Sequence, residues 1–307
     1  MANTDHQLII LGGGPAGLTA GLYAARDRLE VILVEKGVVG GQVLITDWIE
    51  NYPGFPEGVA GSDLIEKMAA QAARFELEIK NVNVVKVELT EAKNKLILEN
   101  GEELTCRALI ICTGARPNKL NIPGEKDFTG KGVSYCGTCD GPFFKDQEIL
   151  VVGGGDTAIH EADFLTKFAS KVTVIHRRDE LRATKILQER AFANERIDFI
   201  WNSNVIAIEG EKEVERVWIR NDKDEEKEII TSGVFILIGT IPNNEALPLG
   251  QLGTDEFGFI ITDDNMCTNM PGVMAAGDIR SKKVRQIINA AGEGAVAAIA
   301  AEHYLNK

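Results

Sequence analysis

The sequence predicts an α/β protein made of two Rossmann-like nucleotide-binding domains, one inserted into the other. Two glycine-rich fingerprints carry that prediction. Gly12-Gly13-Gly14-Pro15-Ala16-Gly17 follows the apolar run Leu8 to Leu11, and Gly153-Gly154-Gly155-Asp156-Thr157-Ala158 follows Ile149 to Val152. In each, a buried-strand pattern passes directly into a small-residue helix start, the context that makes a G-x-G-x-x-G/A match informative. The glycines permit a tight turn and let backbone N–H groups approach a pyrophosphate at the helix N-terminus. The third observation is repetition: each fingerprint leads through similar elements to a closing apolar strand and then a Pro-Asn pair, Pro117-Asn118 and Pro242-Asn243.

In the first copy a helix runs to about Asp27 and a strand from Glu30 to Val34 ends at Glu35, before a Gly40-Gly41-Gln42 turn. Leu64, Ile65, Met68, Ala69 and Ala72 recur at helical spacing and predict a helix over Gly61 to Phe75. Val82 to Leu89 and Lys95 to Leu98 read as antiparallel strands, and Ala108 to Cys112 as the closing strand. The second copy has a strand from Val172 to Ile175, a helix from Ala183 to Asn194, and strand patterns over Phe199 to Ile208 and Val214 to Arg220. Its acidic run, Asp222 to Glu228, reads as a solvated hairpin tip, and Val234 to Ile238 closes it. Proline cannot extend a strand ladder, so the Pro-Asn pairs mark crossings between domains. The boundaries become 1–117 and 244–307 for the outer domain and 118–243 for the inserted one. Beyond Leu247 the run Val273 to Ala276 ends in Gly277-Asp278. Arg285-Gln286-Ile287 then leads to an Ala-rich helix from about Asn289 to Tyr304, whose N-terminus favours negative charge.

The residue ending the second Rossmann strand meets the adenosine ribose. Counted alike from the first glycine, Gly12 leads to Glu35 and Gly153 to His176. Glu35 accepts hydrogen bonds from free ribose hydroxyls, as FAD or NAD offers them. His176 is followed by Arg177 and Arg178, with Arg182 a helical turn further on. Guanidinium forks beside a ribose fit a 2′-phosphate, which predicts NADPH over NADH. The competing reading is a solvated Arg pair answering Asp179 and Glu180.

Cys136-Gly137-Thr138-Cys139 lies just ahead of the second fingerprint. Its spacing suits a redox dithiol or half of a zinc site, and the four scattered histidines and absence of a second Cys pair favour the dithiol. Asp140, next to the second cysteine, either moves the proton of disulfide opening and closing or caps a short turn. Cys112, inside an apolar run, reads as a small buried hydrophobe.

Bulk properties narrow the setting. At 307 residues and 44% hydrophobic composition the chain suits two globular domains. No apolar run has membrane-span length, and Met1 to Asp5 lead straight into the first strand, which predicts a cytoplasmic protein without a leader. A net charge of -13 argues against nucleic acid or an anionic membrane as partner.

Together, these residues resemble the bacterial-type, low-molecular-weight thioredoxin reductase family. The likeness runs from Leu8 to Leu305 and adds Glu50-Asn51-Tyr52-Pro53-Gly54 to the motifs above. It implies FAD in the outer domain, held by Gly12, Gly14, Pro15, Ala16, Glu35, Gly41, Gln42, Asn51, Asp278, Arg285, Gln286 and Ile287. It implies NADPH in the inserted domain, at Gly153, Gly155, Asp156, Thr157, His176, Arg177, Arg178 and Arg182. It further implies a homodimer in which electrons pass from NADPH through FAD to Cys136-Cys139 and on to a thioredoxin-like protein disulfide. The resemblance likewise implies a rotation about the Pro-Asn crossings during that cycle, and it favours Cys139 as the thiol nearest the flavin, while the sequence itself leaves open which cysteine attacks the partner. Glutathione-reductase-like enzymes instead place a cysteine pair near the Gly-Gly turn, where this chain has Val38 to Leu44 and no cysteine. His160 stands where the thioredoxin reductase family often has an acid.

Overall fold

The computed structural model describes residues 4–46, 48–90 and 93–307. The chain divides into two compact units, residues 1–116 with 241–307 and residues 117–240. In chain order the first unit contains β1 (Thr4–Leu11), α1 (Pro15–Arg26), β2 (Val31–Glu35) and a 3-10 turn (Gly41–Ile45). It continues with α2 (Gly61–Ala73), β3 (Glu78–Asn81), β4 (Val84–Glu88), β5 (Asn94–Leu98), β6 (Glu103–Ile111) and β7 (Ala115–Pro117). The second unit holds β8 (Val133–Ser134), α3 (Gly137–Asp140), a 3-10 turn (Gly141–Phe144), β9 (Glu148–Val152), α4 (Asp156–Leu165) and β10 (Lys171–Ile175). After these come α5 (Lys185–Ala193), β11 (Ile197–Ile200), β12 (Ser203–Glu209), β13 (Arg216–Asn221), β14 (Glu226–Ile230) and β15 (Gly233–Ile236). The chain leaves through β16 (Thr240–Pro242) and completes the first unit with β17 (Val273–Ala275) and α6 (Ile287–Leu305).

Both units share one plan. The first has strand order β3-β2-β1-β6, all parallel, and β17 continues it along the C-terminal half of β6. The N-terminal half of β6 instead pairs antiparallel with β5, which pairs with β4. The second unit has the all-parallel order β11-β10-β9-β15-β8 and a separate antiparallel sheet, β12-β13-β14. The fifth strand therefore arrives from opposite sides of the sequence: β17 follows its fingerprint by most of the chain, whereas β8 precedes its own.

Alternation along the central strands explains the layers, because successive side chains point to opposite faces. Leu8 and Ile10 pack with residues of α1, α2 and α6, while Ile9 and Leu11 pack with Leu96 and Leu98 of β5. In the second unit Ile149 and Val151 face α4 and α5, while Leu150 and Val152 face Val205, Val217 and Ile219 of the antiparallel sheet. Burial on both faces accounts for the near-continuous apolar runs before each fingerprint.

Three expectations need correction. The segment Phe199 to Ile208 is two strands in different sheets, parted at Asn202, which takes φ +51. The acidic run is not simply a hairpin tip, since Glu226–Ile230 is a strand paired with β13. Asn221 Oδ1 closes the actual turn by accepting the N–H groups of Lys223 and Glu225, each at 2.9 Å. Arg220 meets Glu226 at 2.6 Å and Arg216 meets Glu228 at 3.2 Å. Exposed pairs like these contribute little; the strand is fixed by its backbone ladder and by Ile229, which packs on the core beneath. The final helix starts two residues earlier than expected, at Ile287.

Candidate functional site

In the first unit, Gly12 turns at φ +108 where a Cβ would overlap the carbonyl of Cys112, and a Cβ on Gly17 would overlap the carbonyl of Gly12. Glycine at both positions lets α1 approach the end of β1. Gly14 faces open space, and as N-cap of α1 it leaves the first N–H groups without a side-chain cap. Pro15 occupies the first helical turn and Ala16 is buried. Glu35 is tied to the fingerprint: Oε2 accepts the Gly13 N–H at 2.7 Å and Oε1 the Gly37 N–H at 3.3 Å. Gly40 N–H donates to Gly13 O at 2.8 Å, and a Cβ on Gly41 would stand 3.7 Å from Gly14 Cα, so the Gly41-Gln42 turn sits over the fingerprint.

The C-terminal segment completes this cradle. A Cβ on Gly277 would come 2.9 Å from Ala16 Cβ, which seats Asp278 beside the start of α1. Asn51 Nδ2 donates to Gln286 Oε1 at 3.2 Å, joining two residues far apart in sequence. Arg285 lies over the Phe259 ring at 4.2 Å and donates from Nη1 to Lys282 O at 3.1 Å, and Ile287 opens α6. Beneath these lies an ion network invisible to local pattern. Glu293 meets Arg280 at 2.8 Å and Lys282 at 3.3 Å and accepts the Gly277 N–H at 2.7 Å, while Lys282 also meets Asp278 at 3.1 Å.

The second unit repeats the cradle. Gly153 has φ +152, and a Cβ there would come 2.5 Å from Leu237 O and 2.6 Å from Ala158 Cβ. Gly155, like Gly14, faces open space. Asp156 and Thr157 are exposed at the start of α4, and Asp156 Oδ1 accepts the Thr184 N–H at 2.6 Å. The buried His176 ring lies where a Cβ on Gly154 would strike it. Burial first, and then Arg182, Arg178 and Arg177, hold its pKa below the usual histidine value. Arg182 N–H donates to Gly154 O at 2.8 Å, which sets that arginine beside the fingerprint. Arg177, Arg178 and Arg182 are exposed, and among the described residues none pairs with Asp179 or Glu180.

Cys136 and Cys139 are joined in a disulfide across α3, with Cα atoms 5.3 Å apart. Ser134, buried at the end of β8, organises the turn: its Oγ accepts the Cys136 N–H at 3.1 Å and donates to Asp140 Oδ2 at 2.5 Å. Asp140 stands at the N-cap position of the following 3-10 turn without a side-chain cap bond, so its carboxylate is turned to Ser134 and not to capping. Tyr135 O–H donates to buried Glu125 at 2.9 Å, and burial together with Glu125 pushes its pKa up to about 12. Burial likewise pushes Cys106 up to about 12 and raises Cys112, so both remain protonated thiols. Cys112 is the buried small side chain its apolar run implies.

Ser134, Glu161, Arg280, Lys282 and Glu293 were not singled out from sequence. The partners of Glu161, Arg280 and Glu293 lie many positions away, whereas Ser134 meets Cys136 and Asp140 nearby and Lys282 meets Asp278 four residues back; the local hint is the alternation of charge through Asp278, Arg280 and Lys282.

Two nucleotide cradles and a redox-competent disulfide define an oxidoreductase that couples nucleotide oxidation to disulfide exchange. A family model described as pyridine nucleotide-disulphide oxidoreductase matches residues 6–294. The chain belongs to that family. It is 47% identical to a thioredoxin reductase of Peptoclostridium acidaminophilum, over 98% of this chain and 97% of that one. The solved thioredoxin reductase of Streptococcus pyogenes matches with TM-score 0.94 and 46% identity, covering 99% of both chains. That of Lactococcus lactis, solved in an FR conformation, matches with TM-score 0.66 and 45% identity over 98% of this chain and 99% of that one.

Proposed function

We propose that the chain is an NADPH-dependent flavoprotein thioredoxin-disulfide reductase. The observation that carries this reading is the Cys136–Cys139 disulfide, built into the same unit as the arginine-flanked fingerprint. The full-length likeness to thioredoxin reductases supports it.

The cradles fit the two nucleotides. Open space at Gly14 and Gly155 leaves room for a pyrophosphate over an uncapped helix start. Some of the buried polar atoms without a hydrogen-bond partner stand at these cradles, Thr113 Oγ1, Asp278 Oδ1 and Arg285 Nε in the first unit and His176 Nε2 in the second, while those of His6, Asn94 and Arg216 lie elsewhere. Residues 1–117 and 244–307 form the FAD-binding domain, where Gly12, Gly14, Pro15, Ala16, Gly41 and Gln42 line the pyrophosphate end. Glu35 takes the ribose hydroxyls, and Asn51, Asp278, Arg285, Gln286 and Ile287 close the cradle. Residues 118–243 form the NADPH-binding domain, with Gly153, Gly155, Asp156 and Thr157 at the pyrophosphate and His176, Arg177, Arg178 and Arg182 at the 2′-phosphate.

FAD held by the first cradle would supply two-electron transfer between NADPH and the disulfide. The protein's part is to position, shield and move protons. Asp140, held by Ser134, gives and takes the proton as the Cys136–Cys139 bond opens and closes. The residues that would hold the nicotinamide coenzyme and the dithiol belong to the same domain, so the two would have to take turns at a flavin held by the other, a gating step of the kind that commonly limits turnover.

The enzyme works in the cytoplasm as a homodimer. No helix among the described residues is long and apolar enough to cross a membrane. On α6, Ile288, Val296 and Ile299 are exposed at helical spacing, an apolar stripe suited to a second copy.

The reading is tested with purified flavoprotein, NADPH or NADH, and a panel of thioredoxins and glutaredoxins; failure to reduce any thioredoxin disulfide defeats it. Asp140→Asn is expected to slow dithiol–disulfide exchange with thioredoxin by about 100-fold, the low end of the range for general acid–base catalysis. Flavin reduction by NADPH should stay unchanged. Stopped-flow traces across pH give both rates, and an unaltered exchange rate removes the proton role.

A further inference from the structure

We propose that Glu161 tunes the dithiol: its carboxylate anchors the turn at Gly137 while its negative charge opposes formation of a thiolate beside it. The inference rests on the dithiol reading above and adds a residue that the reading does not use. Glu161 lies on α4, away from the helix start that faces the nucleotide, and its Oε2 accepts the Gly137 N–H at 2.5 Å. A Cβ at position 137 would overlap that oxygen, so the glycine between the cysteines is what admits the carboxylate. Burial raises the pKa of Glu161 against the opposing pull of Gly137 N–H and His160.

Charged groups on neighbouring elements are His160 on α4, Asp140 on α3, Lys185, Glu189 and Arg190 on α5, Glu148 on β9 and Lys171 on β10. Of these, His160 is the one whose charge acts on Glu161. Two electrons break the Cys136–Cys139 bond, and uptake of one proton leaves one thiol and one thiolate. That thiolate forms in a turn whose backbone already holds a carboxylate. Like charges at such a site disfavour each other, so an ionised Glu161 keeps the reduced pair protonated until the proton passes on.

The test is Glu161→Gln in the FAD-loaded protein. Glutamine keeps the volume and offers an amide oxygen to Gly137 N–H, so the anchor survives and only the charge is lost. The protein is reduced with dithiothreitol, freed of it, and labelled with iodoacetamide across pH, with Cys136 and Cys139 peptides resolved by mass. The expected result is a labelling midpoint lower by about one pH unit and about tenfold faster labelling below it. Equilibration in glutathione buffers should shift toward the dithiol in the same direction. Labelling profiles that superimpose on those of the parent protein overturn the proposal, even if Glu161→Ala loosens the turn. Neither readout involves NADPH or thioredoxin, so failure of the reductase reading and failure of this inference remain distinguishable.

Discussion

Cys136→Ser combined with Cys139→Ser is expected to leave NADPH-driven bleaching of the flavin intact and to lower thioredoxin reduction by at least about 10³-fold, since the covalent route is then gone. The two halves of the cycle depend on different parts of the chain. The nucleotide cradles are built from glycines, backbone N–H groups and charged side chains, none of which requires the sulfurs. Serine matches the volume of cysteine closely, and the Cys136 N–H to Ser134 bond belongs to the backbone, so the turn survives the change. The remaining thiols are poor substitutes. Cys106 and Cys112 are buried and held protonated, and Cys267 has its pKa raised by burial and by Asp263. Stopped-flow absorbance of the flavin, with and without thioredoxin, separates the steps; thioredoxin reduction persisting in the double variant would remove the dithiol from the mechanism.

The second large effect concerns coenzyme choice. Arg177→Ala with Arg178→Ala should lower kcat/KM for NADPH by about 100-fold while changing that for NADH by less than about threefold. Charge-assisted hydrogen bonds contribute about 1.5–3 kcal/mol each, and the lower figure applies because both guanidiniums are exposed. Two such bonds sum to about 3 kcal/mol, or roughly two powers of ten. The selectivity of the loss is the informative part, because a merely structural defect would weaken both coenzymes. No ion pair with Asp179 or Glu180 must be broken to free these arginines for a phosphate. Burial first, and then the positive charge of these arginines and Arg182, lowers the pKa of His176 and favours its neutral imidazole, and binding of a dianionic phosphate opposes the arginines' share of that effect. Steady-state kinetics with both coenzymes over a range of salt checks the assignment; equal losses for the two would refute it.

How much could be read from the chain depended on how local each signal was. The fingerprints, Glu35 and the arginines after His176 are tied to one strand–turn–helix unit, and the structure places each at the end of a parallel strand. The antiparallel pairing of β4 with β5 also showed in alternation and turn residues. β14 did not, because Glu226, Lys227 and Glu228 look like a solvated loop until β13 supplies a ladder. The break at Asn202 was hidden because apolar alternation resumes beyond it. Glu161 and Glu293 act through partners brought close by folding, and Ser134, although its partners Cys136 and Asp140 are near in sequence, reads as an ordinary turn serine, so neither composition nor spacing distinguishes them.

The origin of the fifth strand in each sheet has a consequence for synthesis on the ribosome. The inserted unit receives β8 before its fingerprint and closes on β15, so all five strands exist once that contiguous stretch has emerged. The outer unit has its first four parallel strands early but must wait for β17 and α6, with the whole insertion translated in between. The later-made body is therefore finished first, while the earlier-made one keeps an open sheet edge and the apolar surface beneath α6 exposed for longest. A nascent-chain chaperone would find its binding site there.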